Sequence, residues 1–256
     1  MTTCILADIG NTSFRVAIWQ DGHITKRLDL DLSGLDFFTR MFSAESGFDV
    51  RAVALASVAT SQVTAQFAKS FARACPGAPL RVIAGDMPGL PLNFARGFTQ
   101  KKQVGADRLA NAMAAIALKK FPCVIADFGT ALTVDGVNEN GEFAGGMILP
   151  GMATLLNAMH IFTARLPQLE IPQKPFEKPF GQNTRDAMLA GVEHGYRGLA
   201  REAVQTLQRA LCGKVSLLAT GGMAGRAATA AGLEFEILPD LTLLGIAQVL
   251  DTGETP

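Results

Sequence analysis

The chain has few of the residues that usually carry metal or nucleophilic chemistry. Its three histidines, His23, His160 and His194, are scattered and match neither a catalytic triad nor a zinc spacing, so each reads as structural or surface. The four cysteines, at 4, 75, 123 and 212, have no metal-ligand spacing, and two of them fall in strand-like runs. That usage argues for a reduced, cytosolic setting. Lys+Arg and Asp+Glu both number 23, a balance that leaves no electrostatic footprint for nucleic acid. No apolar run reaches bilayer-spanning length. Met1 leads directly into a strand-like run with no basic n-region and no cleavage site. The expectation is a cytoplasmic protein without a membrane partner. A P-loop lysine motif, a dinucleotide glycine fingerprint, low-complexity segments and charge blocks are all missing.

What is present is a duplication. The stretch CVIADFGTALTVD at 123–135 aligns without gaps on CILADIGNTSFRV at 4–16, placing Cys4 on Cys123, Ala7 on Ala126, Asp8 on Asp127 and Gly10 on Gly129. A long period repeated once points to two related domains rather than a solenoid. In each copy an apolar strand ends in an aspartate and a glycine turn. Glycine permits a turn that a side chain would obstruct, and successive turn N–H groups form an anion-binding concavity. Two such turns suit a polyphosphate and its cation held in a cleft between domains.

The element pattern repeats as well. Strands are expected at 3–8, 13–20 and 23–29, the last two joined by Asp21-Gly22. A short amphipathic helix follows around Leu35, Phe38, Met41 and Phe42, then a buried strand at 51–57, a helix at 62–74 and a strand at 80–83. Residues 85–97 read as a glycine- and proline-rich loop, and 105–121 as a helix. The second half gives strands at 123–127, 132–137 and 143–149, a helix from Pro150-Gly151 to about Phe162, and a proline-bearing surface connection at 166–180. A long helix at 183–211, kinked near Gly195 or Gly198, a strand at 215–220, a helix at 223–231, a strand at 235–238 and a closing helix at 241–250 complete it. The division expected is 1–118 and 119–256.

Several residues suit phosphoryl chemistry. Asp8 at a strand end can hold Mg²⁺, which is bound by one or two carboxylates plus substrate phosphates and waters, while the Gly10–Thr12 turn faces phosphate oxygens. Arg15 reads equally as a strand-face charge or a phosphate contact. Asp127 suits a cation and Thr130 a phosphate; Asp135, farther along the same strand, reads as solvent-side. Gly105-Ala106-Asp107-Arg108 opens a helix. An acid there favours the helix dipole, but Arg108 in the same turn is electrostatically misplaced, and together the two suit deprotonating a hydroxyl while binding an anion. The glycine turns Gly145-Gly146-Met147-Ile148-Leu149-Pro150-Gly151 and Thr220-Gly221-Gly222 are weak signals alone.

Taken in order, these motifs resemble the signatures of type III pantothenate kinase: Asp8-x-Gly-Asn-Thr, Gly105-x-Asp-Arg, Asp127-x-Gly-Thr-Ala and Gly145-Gly-x-Ile-x-Pro-Gly. Thr163-Ala-x-Leu-Pro, Gly181-x-Asn-Thr and Thr220-Gly-Gly complete the set over essentially the whole chain. The resemblance implies an α/β fold of two duplicated ribonuclease-H-like (actin-like ATPase) domains with mixed sheets and an interdomain cleft. It implies ATP-dependent phosphorylation of pantothenate at its primary hydroxyl, the first step toward coenzyme A, with Asp107 as proton acceptor. Asp8, Ile9, Gly10, Asn11, Thr12, Ser13, Phe14 and Arg15 would form the first ATP loop, with Mg²⁺ at Asp8, and Thr130 would contact ATP. Asp127 would bind a monovalent cation, K⁺ or NH₄⁺. Phe98, Gly105, Ala106, Asp107 and Arg108 would surround pantothenate, and Thr184 would reach it from the second protomer of a homodimer.

Two positions depart from the family pattern. Phe98 and Lys101 stand where the family commonly has tyrosine and proline. Losing a phenol hydroxyl keeps the apolar wall and removes one hydrogen bond, a change of roughly 0.5–1.5 kcal/mol. Two alternatives follow: a kinase for a sugar or other small alcohol, and a non-catalytic regulatory relative. The second would be expected to lose Asp8, Asp107 or Asp127, and all three are present.

Overall fold

The structure is a computed structural model that describes residues 3–31, 49–211 and 213–250, with side chains excluded at 228–231. The helix expected around Leu35 to Phe42, and Cys212, lie outside the described residues. In chain order the elements are β1 (Thr3–Ile9), β2 (Ser13–Gln20), β3 (His23–Asp31), β4 (Val50–Ser57), α1 (Ser61–Ala74), β5 (Leu80–Val82) and β6 (Asn93–Phe94). Then follow α2 (Ala106–Ala117), β7 (Cys123–Phe128), β8 (Ala131–Val137), β9 (Glu142–Pro150), α3 (Met152–Phe162) and α4 (Thr184–Leu211). The last are β10 (Ser216–Thr220), α5 (Ala224–Ala231), β11 (Glu236–Ile237) and α6 (Leu241–Ala247).

The chain divides into two units, Met1–Lys119 with Asp240–Pro256, and Lys120–Pro239. The first break lies beside the expected boundary. The closing helix does not follow the second half, as a division into 1–118 and 119–256 requires; α6 packs on α2, β1 and β4 of the first unit.

In the first unit the sheet order is β3-β2-β1-β4-β5, with β1 antiparallel to β2 and parallel to β4. Side chains alternate across the pleat. Ile5, Ala7, Ile9, Phe14, Val16 and Ile18 therefore share one face, and Phe67, Phe71 and Ala74 of α1 cover it. Phe14 meets Phe67 edge-on at 4.7 Å; burying each such ring contributes about 1.5–3 kcal/mol. Thr60 starts α1 by accepting a hydrogen bond from the Val63 N–H at 3.3 Å. The opposite face carries buried Leu6, Ala17, Ala54 and Ala56, small enough on the alanine side for α2 and α6 to lie against β4.

The second unit repeats that topology. Its strands run β11-β10-β7-β8-β9, with β7 antiparallel to β8 and parallel to β10. Val124, Ala126, Phe128, Leu132 and Val134 face a core closed by Leu156, Val192, Tyr196, Ala200 and Val204. The duplication holds at the level of strand order, but the gapless alignment slips after the glycine. Gly10 N–H bonds the Ser13 carbonyl, whereas Gly129 N–H bonds the Ala131 carbonyl. The first turn is one residue longer, so Ala7 faces Val16 while Ala126 faces Val134.

One expectation changes here, that for Asp135. Helix α4 runs without a break from Thr184 to Leu211, and a buried stripe of Leu189, Val192, Tyr196, Ala200 and Val204 holds it to the sheet. Asn183 Oδ1 accepts from the Asp186 N–H at 2.8 Å and caps its start. Asp135 is not solvent-side; it is 1% exposed, opposite Gly146, where a Cβ would sit 2.3 Å from its Oδ1. The 166–180 connection runs over the surface, as expected, and is anchored there. Leu166, Leu169, Ile171 and Phe176 pack on the core, and Arg226 of α5 donates to both the Pro172 carbonyl and Glu193 Oε2.

Candidate active site

The first turn is positioned by β1. Asp8, next to last in that strand, stands directly opposite Arg15 on β2, and Arg15 Nη1 lies 3.9 Å from Asp8 Oδ2. Arg15 Nε also reaches Asp29 Oδ1 at 3.1 Å. The arginine is therefore held beside the turn by two carboxylates. Between Asp8 and Arg15, Ile9 and Phe14 point into the core, while Asn11, Thr12 and Ser13 are exposed. Gly10 leaves little room for a side chain, since a Cβ there would lie 3.0 Å from the Ser13 carbonyl oxygen.

The second group opens α2. Gly105 caps the helix without a side chain, and a Cβ there would lie 2.6 Å from Asp107 Oδ1 and 3.4 Å from Val58 Cγ1. Asp107 Oδ1 accepts from the Arg108 N–H at 2.8 Å. Burial raises the Asp107 carboxyl above the usual aspartate range, and the Arg108 N–H and charge pull it back only in part. A carboxylate made more basic by desolvation is the better proton acceptor. Val58 links this group to the first turn: its N–H donates to the Ile9 carbonyl at 3.0 Å, and its side chain contacts the Gly105 position. A lone valine after a strand gives no sequence signal for that role. Phe98 packs beside Phe94 at 5.1 Å, and Lys101 Nζ sits 5.0 Å over the Phe94 ring. The two family departures thus meet the same aromatic ring.

The second unit builds its own turn. Asp127, next to last in β7, is in register with Thr133 on one side and Thr220 on the other. Gly129 and Thr130 are exposed at the turn. The Thr130 carbonyl accepts from the Gly151 N–H at 3.0 Å and from Thr154 Oγ1 at 2.6 Å, which fixes Thr130 to the start of α3. Gly151 is required there, as a Cβ would meet the Gly129 and Thr130 carbonyls at 2.4 and 2.6 Å. Gly221, at φ +93°, approaches the carboxylate itself: a Cβ would fall 2.5 Å from Asp127 Oδ1. Tyr196 is buried near Asp127, and desolvation, then the Asp127 charge, drive its phenol well above its ordinary range. Thr220 Oγ1 is buried without a hydrogen-bond partner among the described residues. Gly151 and Gly221 are therefore parts of this turn, whereas Gly145 and Gly146 lie farther along the sheet, opposite Gly136 and Asp135. Thr184 is exposed at the first residue of α4.

The buried thiols take no part. Desolvation pushes Cys75 up to about 11 and Cys123 up to about 12, which leaves both inert at neutral pH. Among the described residues no group of three or more His, Cys, Asp or Glu could hold a metal by itself.

Comparison with known proteins gives a consistent result. The family model described as type III pantothenate kinase matches residues 4–206. A type III pantothenate kinase of Dehalococcoides mccartyi strain CBDB1 is 34% identical over 251 residues, covering 94% of this chain and 93% of that protein. One from Moorella thermoacetica is 31% identical over 256 residues, covering 95% and 97%. Among solved structures, a candidate Baf family transcriptional activator from Campylobacter jejuni superposes with TM-score 0.59 at 21% identity, covering 96% of each chain. The activator of 2-hydroxyisocaproyl-CoA dehydratase from Clostridium difficile, solved with ADPNP, gives TM-score 0.54 at 11% identity over 97% and 94%. At those identities the structural likeness speaks for the fold alone, and that fold is the actin-like one.

Proposed function

Because the chain belongs to the type III pantothenate kinase family, we propose that its two aspartate–glycine turns and the start of α2 divide the family's reaction between them. The reaction is phosphorylation of pantothenate by ATP with a divalent metal, on the path to coenzyme A.

The observation that carries the assignment of roles is Asp107: a desolvated carboxyl at a helix start, held through Oδ1 by the Arg108 N–H. Asp107 takes the proton of the primary hydroxyl as the new O–P bond forms and the β–γ bridge of ATP breaks, releasing ADP. Gly105, Ala106 and Arg108 surround pantothenate at that point, with Phe98 as an apolar wall. The loop from Asp8 to Arg15 binds the ATP phosphates. Asp8 fits Mg²⁺, for which one strand-end carboxylate suffices when phosphates and water complete the shell. The metal, when bound, neutralises phosphate charge; the transition state is loose, so positioning and neutralisation are most of what the protein supplies.

Thr130 contacts ATP from the second turn. Asp127 fits a monovalent cation, K⁺ or NH₄⁺. The close approach of Gly221 to Asp127 Oδ1 and the unpartnered Thr220 hydroxyl in register with Asp127 support that reading. We further propose a cytoplasmic homodimer in which Thr184 meets pantothenate bound by the other copy. Support comes from large apolar side chains exposed on the second unit: Ile148 at 66%, Ile161 at 69%, Phe162 at 85% and Phe180 at 66%. No helix among the described residues is long and apolar enough to cross a membrane. Neither the sugar-kinase alternative nor the non-catalytic one gains an observation of its own.

The test is ADP release from MgATP, with and without pantothenate, in K⁺ against Na⁺ buffer. Pantothenate-dependent, K⁺-stimulated release is expected. Release without K⁺ dependence would remove the cation from Asp127, and no pantothenate-dependent release would overturn the assignment of Asp107.

A further inference from the structure

Helix α6 makes two contacts that the roles assigned so far leave unused. Asp240 starts that helix, and its backbone carbonyl accepts from the Leu244 N–H at 2.9 Å, but its carboxylate makes no capping bond. The carboxylate instead takes Arg27 Nη1 at 2.5 Å. Arg27 Nε reaches Asp29 Oδ2 at 3.1 Å, Asp29 Oδ1 receives Arg15 Nε at 3.1 Å, and Arg15 leads to Asp8. The register of the sheet explains this line, since Asp8 faces Arg15 and Arg15 faces Asp29 on successive strands. Five alternating charges thus run from the β1 turn to the start of α6.

The second contact is buried. Thr242 Oγ1 donates to Asn111 Oδ1 at 2.8 Å, and both residues are inaccessible to solvent. Asn111 lies one helical turn beyond Asp107 on α2. Three residues after Thr242 the two backbones touch: a Cβ on Gly245 would fall 1.7 Å from the Ala110 carbonyl oxygen. One short helix therefore grips both the strands behind Asp8 and the helix that begins at Asp107.

We propose that α6 is a brace for the reaction, with Asp240 and Thr242 as positioning residues. Asp240 acts through Arg27 and Asp29 on Arg15 and Asp8, and Thr242 acts through Asn111 on Asp107. The inference rests on the roles proposed for Asp8 and Asp107. The charge line is partly exposed, with side chains 19–53% accessible, so it contributes little to stability. Its effect belongs in nucleotide handling.

The experiment uses the full chain and pantothenate-dependent ADP release, with T242V, T242S, D240N and D107N. A displacement of about 1 Å at a reacting group can cost about a hundredfold. T242V is therefore expected to lower kcat by about tenfold or more, with both KM values within about twofold of wild type. T242S keeps the hydroxyl and restores kcat. D240N is expected to raise KM for ATP about threefold or more while the melting temperature stays unchanged. If T242V fails to fold, N111A/T242A, which leaves neither partner of the bond behind, is expected to show the same loss of kcat. Wild-type kcat in either of these variants overturns the Thr242 arm, and an unchanged KM for ATP in D240N overturns the Asp240 arm. Activity in D107N would instead overturn the proton-acceptor role itself, which keeps the two failures apart.

Discussion

Replacing Gly221 by alanine tests whether the Asp127 turn is shaped for a cation. The backbone there has φ +93°, and left-handed geometry costs an L-residue about 1–2 kcal/mol. The new methyl would also start 2.5 Å from Asp127 Oδ1 and 2.7 Å from the Phe128 backbone. Carbon contacts settle near 3.5–4.0 Å, so the carboxylate or the turn must move by about 1 Å. Overpacking of that kind adds about 1–3 kcal/mol. The sum, about 2–5 kcal/mol, lowers the melting temperature by about 2–4 °C per kcal/mol in a chain of this size. Thermal unfolding measures that loss, and a K⁺ titration of ADP release measures the site. G221A is expected to need more K⁺ for half-activation or to lose the stimulation. Gly222 supplies the control: nothing lies within 4 Å of its would-be Cβ, so G222A is expected to stay within about 0.5 kcal/mol of wild type. A G221A protein with the melting temperature and K⁺ response of G222A would refute the reasoning.

Other outcomes follow from the same structure. D107N is expected to abolish turnover and leave ATP binding nearly intact; equal turnover would remove Asp107 from the chemistry. A folded-state carboxyl raised by burial keeps its proton over a window where the unfolded chain has lost it, so stability falls as pH climbs through that window. D107N should therefore melt no lower than wild type at pH 7, the difference closing below the ordinary aspartate range, and the acid limb of wild-type kcat/KM should lie above that range. R226M strands the Glu193 carboxylate, 3% exposed, and is expected to cost about 3–5 kcal/mol in urea unfolding, with most of it recovered in E193L/R226M. F162E should convert a dimer to a monomer in sedimentation and reduce turnover; a fully active wild-type monomer would refute the dimer.

Much of the architecture is legible in the sequence. Period-two apolar runs gave the strands, and the Asp–Gly pairs marked both turns, because a strand ending in a carboxylate and a glycine has few other uses. Other features depend on what packs where. The closing helix reads as apolar and helical whichever unit it joins; its place is decided by Gly245 against Ala110 and by Arg27 against Asp240. Asp135 looks solvent-side by alternation alone, yet both faces of β8 are buried and Gly146 leaves its carboxylate room. Val58 gives no signal, since a valine after a strand is ordinary core.

The return of α6 to the first unit has a consequence for how the protein is made. Ribosomes extend a chain at about 5–20 residues per second, and domains generally fold as they emerge, the N-terminal one first. Here the unit that emerges first needs a piece that is translated only after the whole of Lys120–Pro239. Its sheet and α1 can assemble early, but the face carrying Leu6, Ala54 and Ala56 waits for α6. A chain that stops anywhere within Lys120–Pro239 therefore lacks the helix that packs on α2, and its first unit cannot close that face however much of the second has been made.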